Sequence, residues 1–185
     1  MDLNLIVSRV LLCAVCLFST VRTYQVHRAA AAGFLIHGVG SAYLLCVSSL
    51  TAEDGFRNLS TWSAIVTSVP LLAFAFFWLS GDQSTANMLL SAGILGAAAL
   101  DSLNQEGRFM VSICIMAAAS LSILVLSIFT GNWHGVLGSI ALGTVALFKA
   151  ERITIFHKEV ASNYGLTAAF LAFDLALRSQ QWDYV

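Results

Sequence analysis

Apolar runs of membrane-crossing length alternate with short polar interruptions along nearly the whole chain. A membrane helix needs about 20 apolar residues, and about 17 can suffice. Seven candidate spans follow: 3–21, 29–50, 61–80, 84–100, 109–129, 133–150 and a short last one, 163–178. The fifth carries no charge at all. The expected fold is all-α: a single transmembrane domain over residues 1–185, a polytopic bundle of about seven helices.

The interruptions are short and rich in turn residues: Asp54-Gly-Phe-Arg57, Ser80-Gly-Asp-Gln-Ser84 and Thr130-Gly-Asn132. Short loops force successive helices to run antiparallel. With the N-terminal side named side A, the second, fourth and sixth loops also fall on A. The first, third and fifth loops and the C-terminus fall on side B. Trp62 and Trp78 bracket the third span about 24 Å apart at about 1.5 Å per residue, and both read as interface anchors. The longest polar connection, 149–162, mixes Ile153, Ile155 and Phe156 with charges of alternating sign and reads as a short interfacial helix. Val10 to Val21 also has the length of a signal-peptide apolar region. The segment lacks a basic start and a small-x-small exit, so a retained helix is expected.

Composition supports the membrane reading. The chain of 185 residues is 58% hydrophobic and 10% charged, with mean hydropathy +0.83. Soluble domains carry about 25% charged residues, so this chain is short of polar surface and suited to lipid. A net charge of −1 offers no basic surface for nucleic acid. The expected partners are the lipid bilayer and other membrane proteins. Side A loops carry Arg57, Arg108, Lys149, Arg152 and Lys158 against Arg22, Arg28 and Arg178 on side B. That excess of five to three places the N-terminus in the cytosol by the positive-inside rule. The sequon Asn58-Leu59-Ser60 reads as a side A loop, open to glycosylation only if that side is lumenal.

Small residues supply packing where lipid gives helices no hydrophobic drive to associate. They mark Gly33, His37 and Ser41 on the second span, Gly93, Ala97 and Asp101 on the fourth, and Gly135, Gly138, Ser139 and Gly143 on the sixth. Pro70, the single proline, lies inside the third span and reads as a bend. The four cysteines sit in apolar runs. Cys13-x-x-Cys16 has redox spacing without polar flanks and reads as packing. Spans four and seven both end near an acid, so spans two to four and five to seven are a candidate inverted repeat.

Ionisable groups at membrane depth are the functional candidates, because each is costly unless paired or wetted. Helix direction places His37, His134, Asp174 and Arg178 in the side B half, and a second polar set, Arg9 and Asp101, toward side A. Asp174 and Arg178 stand in the favourable i,i+4 order and are expected to pair, and Arg9 has Asp101 as a potential partner. A neutral His37 has the chemistry to hydrogen-bond a neighbouring helix. The sharper alternative is convergence of His37, His134 and Asp174, two imidazoles and a carboxylate able to relay protons or hold zinc. Zinc-using seven-helix membrane hydrolases call for two histidines four apart on the last helix, and this last span has none. No phosphate loop, Gly-x-Ser-x-Gly elbow or His-x-x-x-His is present. No cofactor and no catalytic residue is expected. The leading reading is a non-enzymatic membrane protein that assembles, traffics or scaffolds other membrane components. The alternative is a small transporter or proton-coupled channel using Asp174 and His37, and the third is a metal-dependent enzyme acting on lipid.

Overall fold

The computed structural model describes residues 3–48, 54–99, 102–150 and 158–182. They form seven helices and, among the described residues, no strand. These are α1 (Leu3–Thr23), α2 (Arg28–Ser48), α3 (Asp54–Leu79), α4 (Gln83–Ala99), α5 (Gln105–Phe129), α6 (Trp133–Ala150) and α7 (Lys158–Trp182). Five of them hold stretches long and apolar enough to cross a membrane, and α6 adds a shorter apolar helix over Trp133–Leu147. Large side chains such as Leu95, Leu121, Ile128 and Leu147 are exposed on the outside of the bundle, as a lipid-facing surface requires.

Three boundaries move relative to the sequence reading. The Asp54–Arg57 segment is the first turn of α3 and not a loop, so the Asn58 sequon falls within the helix and not on a surface turn. Trp62 therefore sits well inside α3 and is buried against protein, while Trp78 stays partly exposed. The last helix is the second correction. It spans 25 residues, not 16, because Lys158 to Ser162 continue it toward side A and Ser179 to Trp182 toward side B. That leaves 151–157 of the expected interfacial helix outside the described residues. Thirdly, α5 starts at Gln105, with Asn104 as N-cap accepting from the Gly107 N–H at 2.8 Å.

The helices form a closed ring in the order α1, α2, α3, α5, α6, α7 and back to α1, with α3 also touching α7 across the middle. α4 lies outside the ring, held mainly by α3. The α3–α4 seam is a proline fitted to a glycine: a Cβ on Gly93 would come within 2.5 Å of the Pro70 ring. Pro70 thus serves as a packing knob in α3. The different places of α4 and α7 also separate the two spans that the inverted repeat would make equivalent.

Two side B turns share one construction. Gly81 (φ 87°) and Gly131 (φ 68°) take the left-handed conformation that ends a helix. The next residue's N–H donates back, Asp82 to Phe77 O at 3.0 Å and Asn132 to Ser127 O at 2.8 Å. The same residue then caps the following helix: Asp82 Oδ1 accepts from Thr85 N–H, and Asn132 Oδ1 from Gly135 N–H, each at 3.1 Å. Hydrogen bonds from Thr85 hold the Asp82 carboxyl below its usual range. Asn132 also donates to Ala176 O at 2.9 Å, tying this turn to α7.

An aromatic layer fills the centre of the ring. Phe34 meets Phe170 edge-on at 5.6 Å, and Phe76 meets Phe173 at 5.4 Å, all four fully buried. Gly138 makes room for Phe173, whose ring would lie 2.6 Å from an added Cβ. Gly138→Val should lower stability by about 1–3 kcal/mol through overpacking. Leu95→Ala on the lipid-facing side of α4 should stay within about 0.5 kcal/mol of the parent. Thermal unfolding of both variants in the same detergent compares the two.

Candidate functional site

A cavity of about 750 Å³ occupies the side A end of the ring, between α1, α2, α3, α5 and α7. Helix direction gives it a depth order. Asn104, Gln105 and Glu106 at the start of α5 and Glu159 and Ser162 at the start of α7 form the rim. Arg9, Asn163, Leu44, Trp62 and Phe109 make the walls. Leu12, Ile65, Leu166 and finally His37 lie deepest. The rise from Leu44 to His37 on α2 is about 10 Å at about 1.5 Å per residue. Gly40 and Ser41 line the cavity from α2, with Gly40 set close against Ala64 of α3, 3.0 Å from an added Cβ.

The polar wall is built across the α1–α7 seam. Arg9 is 5% exposed, and its Nη2 lies 3.0 Å from Glu159 Oε2. Its Nη1 donates to Leu44 O at 3.4 Å. Asn163 Nδ2 donates to Ser8 Oγ at 3.1 Å. The sequence reading offered Asp101 as the partner of Arg9; Asp101 lies outside the described residues, and Glu159 holds the guanidinium. Glu159 was hidden because it seemed to belong to a charged loop. An acid in a first helical turn was the available signal, since it suits the helix dipole there.

His37 sits at the floor, 4% exposed. Its Nδ1 lies 3.1 Å from Ser68 Oγ on α3, a hydrogen bond whose donor follows the tautomer. The ring stands edge-on to Phe170 at 4.8 Å. His37 therefore closes the side A cavity from below, although counting from its helix end put it with the side B groups. The aromatic layer lies next, and Asp174 comes one helical turn beyond Phe170 on α7.

On side B the ion pair differs from the expected one. Asp174, 1% exposed, pairs with Arg22 of α1, Nη1 to Oδ2 at 3.3 Å, rather than with Arg178 on its own helix. Asp174 points into the α1–α7 seam, where Arg22 enters from the opposite wall. Arg22 also lies over the Phe18 ring at 4.9 Å. Arg178 is partly exposed near the helix end, as a snorkelling cation would be. His134 is exposed at the start of α6. Thus His37, His134 and Asp174 occupy three separate places, and among the described residues no three His, Cys, Asp or Glu side chains gather as a metal site would need. Cys16 is buried and Cys13 partly so, both free.

Removing Arg22 leaves a buried carboxylate in the seam without its cation. Arg22→Ala should cost about 1–3 kcal/mol, the usual penalty for a buried polar group deprived of its partner. Adding Asp174→Asn to that variant should restore most of the loss, while Arg178→Ala alone should change little. Size-exclusion yield and thermal unfolding of the three variants test the assignment. An Arg178→Ala defect as large as that of Arg22→Ala would contradict it.

No protein-family model matches the chain, and no solved structure does. Named relatives do. It is 34% identical over 183 residues to transmembrane protein 276 of Mus musculus, which covers 96% of this chain and 94% of the relative. Against the Bos taurus protein of that name it is 35% identical over 182 residues, covering 95% and 93%. Against the Homo sapiens protein it is 34% identical over 181 residues, again covering 95% and 93%. Each match runs nearly the whole length of both chains, through all seven helices. Identity at this level across the bundle means that the chain is a multi-pass integral membrane protein and belongs to the transmembrane protein 276 family.

Proposed function

We propose that this protein works by binding and not by chemistry, and that it assists the assembly, trafficking or scaffolding of other membrane components through its side A cavity. The observation that carries the reading is the cavity itself. Its volume of about 750 Å³ falls in the range of ligand sites, about 300–1,000 Å³. Its polar groups are spent on one another: Arg9 on Glu159 and Leu44, Asn163 on Ser8, His37 on Ser68. Such groups shape and orient. A hydroxyl does stand beside an imidazole, Ser68 by His37, but Ser68 is fully buried and is not among the described residues that line the cavity.

Side A is assigned to the cytosol. The sequence counts Arg57, Arg108, Lys149, Arg152 and Lys158 to that side, and the pairing of Arg22 with Asp174 removes one cation from the opposing count.

Transport is the second reading, and one observation favours it. The aromatic layer of Phe34, Phe76, Phe170 and Phe173 divides two polar compartments, the cavity above and the Arg22–Asp174 pair below. Passage would require that layer to part.

Ser41→Trp tests the binding role. Ser41 is buried, lines the cavity and has open volume in front of it. The variant should keep its folded yield and unfolding temperature while losing the amphiphile that the parent retains in native mass spectrometry. It should also lose the cross-links to other membrane proteins that the parent forms from side A. Identical spectra and cross-links for parent and variant would overturn the binding role. Flux into proteoliposomes that Asp174→Asn abolishes at unchanged folded yield would put transport first.

A further inference from the structure

We infer that the outer face of α4 pairs with the same face of a second copy of this chain. The helix has two sides. Ala86 and Gly93 are buried, and Gly93 faces Pro70 of α3. On the other side Ser84, Asn87, Ser91, Ile94 and Ala98 are all exposed. They stand alternately three and four residues apart. That is the seam spacing of two parallel helices that supercoil around each other. Ser84, Ser91 and Ala98 share one heptad position and are small enough to let two backbones approach. Asn87 and Ile94 share the other.

The polarity of this face sets it apart. Elsewhere the outward side chains are apolar, such as Val10 and Phe18 on α1 and Leu121 and Val125 on α5. Thr144 on α6 is exposed, but its hydroxyl returns to Ala141 O at 2.8 Å. The Asn87 amide and the Ser91 hydroxyl have no hydrogen-bond partner among the described residues. Both lie at membrane depth. Counting along the two helices from the Gly93–Pro70 contact puts Asn87 level with Phe76 of the aromatic layer and Ser91 level with Leu72. An amide there faces lipid, which offers it nothing, so a polar surface on another helix lowers its free energy.

Symmetry selects the occupant. Copies of one chain insert in one orientation, so two α4 helices run parallel and equal depths meet across a two-fold axis along the membrane normal. Every group on the seam then meets its own twin. A charge would repel its twin, and this seam carries none. An amide and a hydroxyl each donate and accept, so each can bond to a copy of itself. A seam built for a different protein has no need of self-complementary groups throughout. Because α4 lies outside the ring, the pairing leaves the side A cavity of each copy as described.

The test uses the full chain in phosphatidylcholine liposomes, with donor and acceptor fluorescent proteins fused to the C-terminus. Energy transfer is read against the protein-to-lipid ratio and should saturate as for a dimer. Asn87→Leu should weaken the dimer about tenfold, near the upper end for one hydrogen bond between membrane helices. Its folded yield and unfolding temperature should match the parent, because the side chain faces outward. Asn87→Gln keeps an amide at that depth and should keep most of the affinity. Ser91→Phe should abolish pairing by holding the backbones apart. With Cys46 and Cys114 changed to alanine, Ile94→Cys should give a disulfide-linked dimer under oxidation, and Leu121→Cys on α5 should not. Transfer no greater than random crowding gives would overturn the inference. A dimer indifferent to both Asn87→Leu and Ser91→Phe would overturn it by placing the interface elsewhere. Ile94→Cys capturing a different membrane protein, with no self-linked dimer, would overturn the choice of occupant. Ser41→Trp should leave pairing unchanged, so failure of the cavity's binding role and failure of the dimer are read separately.

Discussion

Charges held inside a bilayer have little water to neutralise them, so the protein must supply the opposite charge, and here it does so between α1 and α7. Both ion pairs of the described residues cross that seam, Arg9–Glu159 toward side A and Arg22–Asp174 toward side B. The Asn163–Ser8 hydrogen bond crosses the same seam beside the first pair. Lipid gives the two helices no hydrophobic reason to meet, so this set of paired charges and close small-residue contacts fixes which helix faces close the ring. The cavity inherits its polar wall from one pair. The other provides the polar group on the far side of the aromatic layer.

The layer explains why these two polar regions stay separate. Phe34, Phe76, Phe170 and Phe173 fill the ring at full burial, with the His37 ring set against Phe170 as the last polar group of the side A compartment. A glycine on α6, Gly138, gives the Phe173 ring its space. Among the described residues α4 takes no part in the cavity, whose walls come from α1, α2, α3, α5 and α7. Its attachment through Pro70 and Gly93 leaves the ring complete without it.

Hydropathy made the seven helices legible, because membrane length and apolar content are local properties. Small residues were legible as packing points for the same reason, and Gly33, Gly93 and Gly138 all lie at close helix contacts. The pairing of charges was not. Asp174 has Arg178 four residues away in sequence, and a local rule selects it; the actual partner, Arg22, is 152 positions away and is set by which helix becomes the neighbour of α7. His37 illustrates a related failure. Depth along α2 is readable by counting residues, but the compartment it faces depends on where the phenylalanines of α2, α3 and α7 come together. Glu159 and Trp62 were misplaced by boundary errors, since a polar start to a helix resembles a loop until the next helix gives it a partner.

The closure of the ring by its first and last helices also sets an order in time. Arg9 and Arg22 enter the membrane with α1, and the carboxylates that neutralise them are encoded about 150 residues later, on α7. At a synthesis rate of about 5–20 residues per second, the two cations wait about 8–30 seconds for their counter-charges. During that interval the nascent chain carries unpaired arginines that must lean to the interface or find temporary partners. The seventh helix is thus the step that closes a provisional ring, and a chain interrupted before it shows cellular quality control two unanswered positive charges.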